Sequence, residues 1–239
     1  MRPQVDGQTS TFPDPALLTA EVREIHSVAA NVFGYHALEL NAWEETPPLL
    51  ATAQTISRHR LTVAPSGTAR GPWLGHLFDL PVINEGLALV VMHHVHELHG
   101  SSYDVLSELH RVLQPEGIAV IVGFNPWRRG DAARACGLNP VGPRKLVERF
   151  KAFDLKTLLV RPIGPDGGRT TRYLTKLSRR WTGMTWLGHM GHSYLLVARK
   201  SSRPARIVHL RRLGLTRLNG RQVSPTSTFA ERRSSSDRS

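Results

Sequence analysis

Apolar residues recur at helical spacing near the start of the chain. Leu17, Leu18, Val22, Ile25, Val28 and Ala29 fall on one face of a predicted helix. Asp14 supplies a capping side chain, and Pro15 suits a first helical position that needs no N–H donor. Glu21 and Glu24 follow in the early turns, and Gly34 closes the helix. Shorter apolar runs of strand length come next. Residues 37–40 form one, and the alternating run 59–64 forms another. The continuous runs 87–92 and 118–124 read as strands buried on both faces. Residues 155–161 and 194–198 complete the predicted strands.

Helices are predicted between these strands. In 102–113, Val105, Leu106, Leu109, Val112 and Leu113 face inward, while Glu108, His110 and Arg111 face water. Residues 143–153 read as a helix, as do a short stretch after Pro47-Pro48 through Ile56 and the stretch 173–181. Loops or turns are expected at 65–75, 115–117 and 164–168, where Gly and Pro cluster. Strands alternating with helices imply βαβ units and a mostly parallel sheet. There is no internal repeat.

Composition adds a division of the chain. The 239 residues suit one globular domain with an appendage. Net charge is +12, and eleven Arg/Lys against Glu231 and Asp237 place +9 of it in residues 199–239. That stretch holds eight serines and, apart from Phe229, no aromatic residue. Such a composition cannot offset chain entropy by burial, so a disordered basic tail is expected at 201–239. A basic arm attracts nucleic acid or an acidic partner, and it also serves simply to solubilise. Residues 1–15 read as a flexible leader, which leaves 16–200 as the folded domain. A single cysteine, Cys136, excludes an internal disulfide and any multi-cysteine zinc site within one chain. With no apolar run of membrane-helix length and no apolar leader, a cytoplasmic protein is expected.

The most informative segment runs from Gly75 to Trp127. It contains Leu80-Pro81-Val82, Leu87-Ala88-Leu89-Val90, His94-Val95-His96-Glu97, then Ser107 to Gly117 and the strand Ile118-Ala119-Val120-Ile121-Val122. This order resembles the fourth strand, following helix and fifth strand of class I S-adenosylmethionine-dependent methyltransferases, type 11 subfamily. Phe33-Gly34-Tyr35-His36-Ala37-Leu38-Glu39-Leu40, Gly123-Phe124-Asn125-Pro126-Trp127 and Ser193 to Lys200 extend the likeness to a bacterial group of poorly defined substrate. The resemblance implies an α/β Rossmann-like sheet with helices on both faces, S-adenosylmethionine as cofactor and an unidentified methyl acceptor. It implies a cofactor region at Glu39, Leu40, Asn41, Ala42, Gly75, His76, Asp79, Leu80, His93 and His94. No catalytic residue is assigned, because in-line placement of the acceptor supplies much of the rate of methyl transfer.

Three positions depart from that family's pattern. Asn41 and Trp43 stand where the glycine-rich turn after the first strand has glycines. Ala64-Pro65-Ser66 follows the second strand where a ribose-binding acid belongs. His76 stands at the position of the adenine-side acid, with Asp79 three residues on. These losses open a second reading, a catalytically degenerate methyltransferase fold that works by binding. Three lesser patterns occur in the sequence. His94-Val95-His96-Glu97-Leu98-His99 is similar to the HxHxDH motif of metallo-β-lactamase-fold hydrolases, with His189 and His192 as distal candidates, but Leu98 replaces the Asp, so no metal is expected there. Asn125-Pro126-Trp127 reads as a turn that ends a strand. Trp181, Met184, Trp186 and Met190, interleaved with Gly183, Gly188 and Gly191, suit a cover over a substrate.

Overall fold

The computed structural model describes residues 12, 14–99, 102–164 and 191–201. The chain divides at Arg203, and every described residue belongs to the first unit, Met1–Arg203. The basic tail after Ser201, the leader apart from Phe12, Asp14 and Pro15, the loop expected at 164–168 beyond residue 164, the helix expected at 173–181 and the Trp/Met/Gly segment lie outside the described residues, except for Gly191.

Among the described residues, eight strands form one sheet: β1 (Phe33–Asn41), β2 (Gln54–Val63), β3 (Thr68–Arg70), β4 (Leu74–His76), β5 (Leu87–His93), β6 (Leu113–Phe124), β7 (Leu155–Ile163) and β8 (Ser193–Lys200). Their order is β4-β3-β2-β1-β5-β6-β8-β7. β1 pairs in parallel with both β2 and β5, and β5 pairs in parallel with β6. β8 runs antiparallel between β6 and β7. The chain therefore leaves β1 toward β2 and returns to its other side with β5. That reversal is the switch point at which open α/β sheets hold ligands, beyond the carboxyl ends of the strands.

Among the described residues, four α-helices flank the sheet: α1 (Pro15–Ala29), α2 (Ser102–Val112), α3 (Pro126–Ala135) and α4 (Pro143–Phe150). Asp14 caps α1 by accepting from the Leu17 N–H, and Pro15 opens it, as the sequence implies. α1 covers the face carrying His93, reached by its Glu21. α2 covers the opposite face, where Val105, Leu109 and Val112 meet Leu40, Val90 and Met92. Helices thus lie on both faces, and all seven residues of β5 are buried between them.

Several expectations are corrected. Gly34 ends no helix; it lies inside β1, where a Cβ would come 2.2 Å from the Cβ of Ala88. The short helix expected through Ile56 is absent: residues 42–53 cross from β1 to β2 without one, and β2 starts at Gln54. The loop expected at 65–75 contains the β3–β4 hairpin. The turn at 115–117 lies within β6, with Glu116 at φ 63°. Glu108 is buried, because it accepts from the Leu80 N–H at 2.6 Å and pairs with Arg111. Asn125-Pro126-Trp127 starts a helix: Asn125 caps α3 by accepting from the Trp127 N–H. Among the described residues, no helix is long and apolar enough to cross a membrane.

Candidate functional site

The switch point places the ends of β1 and β5 side by side, with Asn41 opposite His93. Glu39, near the end of β1, is buried and fully engaged. Its Oε2 accepts from the N–H groups of Leu49 and Leu50 at 2.8 and 3.0 Å. Its Oε1 accepts from Asn41 Nδ2 at 3.1 Å and pairs with Arg60 at 3.1 Å. The carboxylate therefore fastens the helix-free β1–β2 connection. The Ala42 N–H donates to the His93 carbonyl and joins the two strand ends.

Trp43 covers this junction and is only 2% exposed. Its ring lies 4.8 Å from Phe12, 5.1 Å from His94, 5.9 Å from His93 and 6.3 Å from Phe124. Phe12 stacks on His93 and Phe124. Aromatic rings thus fill the space above the carboxyl ends of β1, β5 and β6.

Beneath the rings lies a buried polar network. His94 has a left-handed backbone, φ 61°, which is costly for a residue with a Cβ and turns the chain from β5 into the 3₁₀ turn Val95–Glu97. Successive strand residues normally point to opposite faces. The turn at His94 breaks that alternation, so His93 and His94 lie edge to face at 4.6 Å and both reach Glu21. His93 Nε2 donates to Glu21 Oε2 at 2.9 Å, and His94 Nε2 faces the same oxygen at 3.4 Å. His94 Nδ1 donates to Glu97 Oε2 at 2.7 Å. Glu97 Oε1 accepts from the Phe124 N–H at 3.0 Å.

Burial alone would raise Glu21, but the charge of His94 and hydrogen bonds from both histidines outweigh it and hold the carboxyl at about 2. Burial pushes His93 down to about 4 despite its bond to Glu21. Burial also acts against His94, yet the charge and hydrogen bond of Glu21, with help from Glu97, lift it to about 9. Glu97 is raised by burial, with the His94 hydrogen bond opposing. His96 leaves this group. Tyr194 donates its O–H to the Val141 carbonyl at 2.7 Å, so its oxygen accepts from His96 Nε2 at 3.0 Å. Burial and the nearby His94 and Arg149 charges push His96 down to about 3.

Of the ten residues expected at a cofactor, Glu39, Leu40, Asn41, Ala42, His93 and His94 lie at the ends of β1 and β5. Leu80 packs with Leu40 and Met92 under α2. Gly75 and His76 lie on β4, separated from β1 by β3 and β2. Gly75 packs against Pro81, and exposed His76 lies against Phe78 at 5.1 Å. Asp79 is exposed next to that strand and bridges to the His76 backbone. His94, His96 and His99 do not converge: His99 packs on Phe78, and His192 contributes backbone hydrogen bonds to Ile163 and Asn125. His189 lies outside the described residues. Glu21, expected only as an acid in the early turns of α1, is a buried member of this network. Its place midway between Leu17 and Ile25, four residues from each, was the signal that it faces the core.

No protein-family model matches the sequence, and no curated protein matches it. Solved structures do. Geranyl diphosphate C-methyltransferase from Streptomyces coelicolor A3(2) aligns with a TM-score of 0.53 at 12% identity, over 76% of this chain and 79% of its own. The complex of the Haloferax volcanii Trm112 methyltransferase activator with a candidate methyltransferase gives 0.53 at 12% identity, over 80% and 100%. Haemonchus contortus phosphoethanolamine N-methyltransferase 2 gives 0.52 at 10% identity, over 76% and 52%. At such identity the likeness is one of fold, and the fold is that of the class I methyltransferases.

That fold implies S-adenosylmethionine at the switch point. The residues present do not fit it in this conformation. Trp43 and Phe12 occupy the space, Glu39 is spent on the β1–β2 connection, and no carboxylate follows β2 at Ala64-Pro65-Ser66.

Proposed function

We propose that this methyltransferase fold works by binding and does not turn over S-adenosylmethionine. The basic stretch after residue 200 is its contact with nucleic acid or an acidic partner. The observation that carries the reading is buried Trp43, packed on His93, His94, Phe12 and Phe124 where the fold would hold its cofactor. The charge of the last 41 residues supports the second part, because a +9 segment concentrates polyanions around itself.

A second reading has its own support. Among the described residues, Asn41 Oδ1 and the Trp43 indole N–H are buried without a hydrogen-bond partner. Orphaned polar atoms at a ligand crevice are costly unless something meets them. On this reading the chain is an S-adenosylmethionine-dependent methyltransferase of unknown acceptor, and the Phe12–Trp43 cover moves aside for the cofactor.

Calorimetric titration of the full chain with S-adenosylmethionine and S-adenosylhomocysteine, in EDTA, separates the two. No heat up to about millimolar ligand, where binding is worth only ~4 kcal/mol, is the expected result. Micromolar binding with one site per chain overturns the argument that Trp43 closes the site and supports the enzyme reading.

A further inference from the structure

We propose that Glu21, His93 and His94 form a binding site for one divalent transition-metal ion of the zinc type. The ligands come from two elements, α1 and the end of β5, and their facing atoms all lie within 4.8 Å of one another. Two imidazoles and one carboxylate are a donor set that suits zinc and its first-row neighbours. Zinc–ligand bonds of about 2.0–2.2 Å, at angles between octahedral and tetrahedral, set neighbouring donors roughly 2.9–3.5 Å apart. Glu21 Oε2 lies 2.9 Å from His93 Nε2 and 3.4 Å from His94 Nε2.

Three further observations point the same way. Glu21 Oε1 is buried and has no hydrogen-bond partner among the described residues, so the carboxylate has a second donor to offer. His94 carries the outer support that metal-binding histidines use: Nδ1 bonds Glu97 Oε2 at 2.7 Å, which leaves Nε2 as the inward donor atom. Glu97 is itself fixed by the Phe124 N–H. Finally, the left-handed backbone of His94 is what brings two adjacent residues to one carboxylate. Strain of this kind persists where surrounding structure over-determines it and clusters at functional sites. Phe12, Trp43 and Phe124 wall the site with rings, so a bound ion is shielded and exchanges slowly.

The test uses the untagged full chain, stripped with EDTA and titrated separately with Zn²⁺ and Co²⁺. One equivalent binds, the thermal midpoint rises with ion concentration, and the Co²⁺ form shows visible ligand-field bands. X-ray absorption of the zinc-loaded wild type shows two imidazoles and otherwise oxygen donors, a readout that depends on no variant. Glu21→Gln weakens binding about 100-fold or more, and Glu97→Gln weakens it about 10-fold, as expected for removal of outer support. The paired variant His36→Gln/His59→Gln removes two surface-side imidazoles whose rings lie 6.5 Å apart, and it leaves binding unchanged. Absence of stoichiometric binding, a zinc shell without two imidazoles, or binding lost only in the His36/His59 variant overturns the proposal. The cofactor titration is run in EDTA, so its outcome is independent of this one.

Discussion

At the scale of single residues, Trp43 carries the most weight. A glycine at this position would leave the strand end open to a ligand; the indole closes it and packs against four other rings. Removing a large buried aromatic loses its transfer free energy and leaves a cavity that the surroundings only partly fill. Trp43→Ala is expected to destabilise the fold by about 3–5 kcal/mol, read from the urea midpoint at constant slope. A loss below about 1 kcal/mol would mean that the ring is not packed as described. Gly123 makes the opposite case. A Cβ there would come 2.7 Å from both His96 Cε1 and the Tyr194 hydroxyl oxygen. Gly123→Ala therefore forces apart the buried His96–Tyr194 pair. It should cost about 1–3 kcal/mol by overpacking, and a stability equal to the wild type would refute the close approach.

At the scale of elements, the Arg111 side chain carries a fork of hydrogen bonds between α2 and the chain before β5. Arg111 bonds Glu108 on its own helix, then reaches the Leu80 and Val82 carbonyls at 2.9 and 2.8 Å and Asn84 Oδ1 at 2.6 Å. Arg111→Ala removes the fork and leaves the Glu108 hydrogen bond from α2 to Leu80 in place. The side chain is about one-third exposed, which limits the expected loss to about 1–2 kcal/mol. Amide exchange should accelerate selectively at residues 80–86, and uniform acceleration along the chain would reject this localised role. What the sequence revealed follows the same division between strong and weak local signals. α1, α2, β5 and β6 were legible because a long run of buried positions repeats at one period. The β3–β4 hairpin was not, because three-residue strands flanked by Gly67, Gly71 and Pro72 show only turn chemistry. α3 was missed although Asn125 before Pro126 is a helix-start signal, because few of its residues are apolar. At the site, the histidines after β5 were legible as a motif and Trp43 as bulk. The partnership with Glu21 was not, since it depends on a left-handed residue and on a contact 72 residues apart in the chain.

At the scale of the whole molecule, the buried histidines tie folding to pH and add an alkaline limb that the net charge alone would not give. Folding stability changes with pH as the difference in protons bound by the unfolded and folded states, about 1.4 kcal/mol per pH unit for each proton. Below pH 6.5 the unfolded chain protonates His93 and His96, while the folded state refuses both until about pH 4 and 3. The unfolded state then binds more protons, and stability falls as pH falls. Below about 4.5, Glu21 adds to the same limb, because its folded carboxyl stays ionised down to about 2. On the alkaline side the sign reverses. His94 keeps its proton in the folded state up to about 9 while the unfolded chain loses it near 6.5, so stability falls as pH rises between these values. Glu97, raised by burial, acts in the same sense as His94 from about 4.5 upward, but one carboxyl is outweighed below 6.5 by two histidines. The metal-free protein in EDTA should therefore be most stable near pH 6.5, even though its isoelectric point lies close to 10.9. Urea unfolding from pH 4 to 9 checks this. A stability that climbs steadily toward the isoelectric point would show that long-range charge repulsion, and not the buried histidine network, governs the fold. His93→Phe and His96→Phe, which remove the protonation penalty, should each flatten the acid limb, and neither should move the alkaline one.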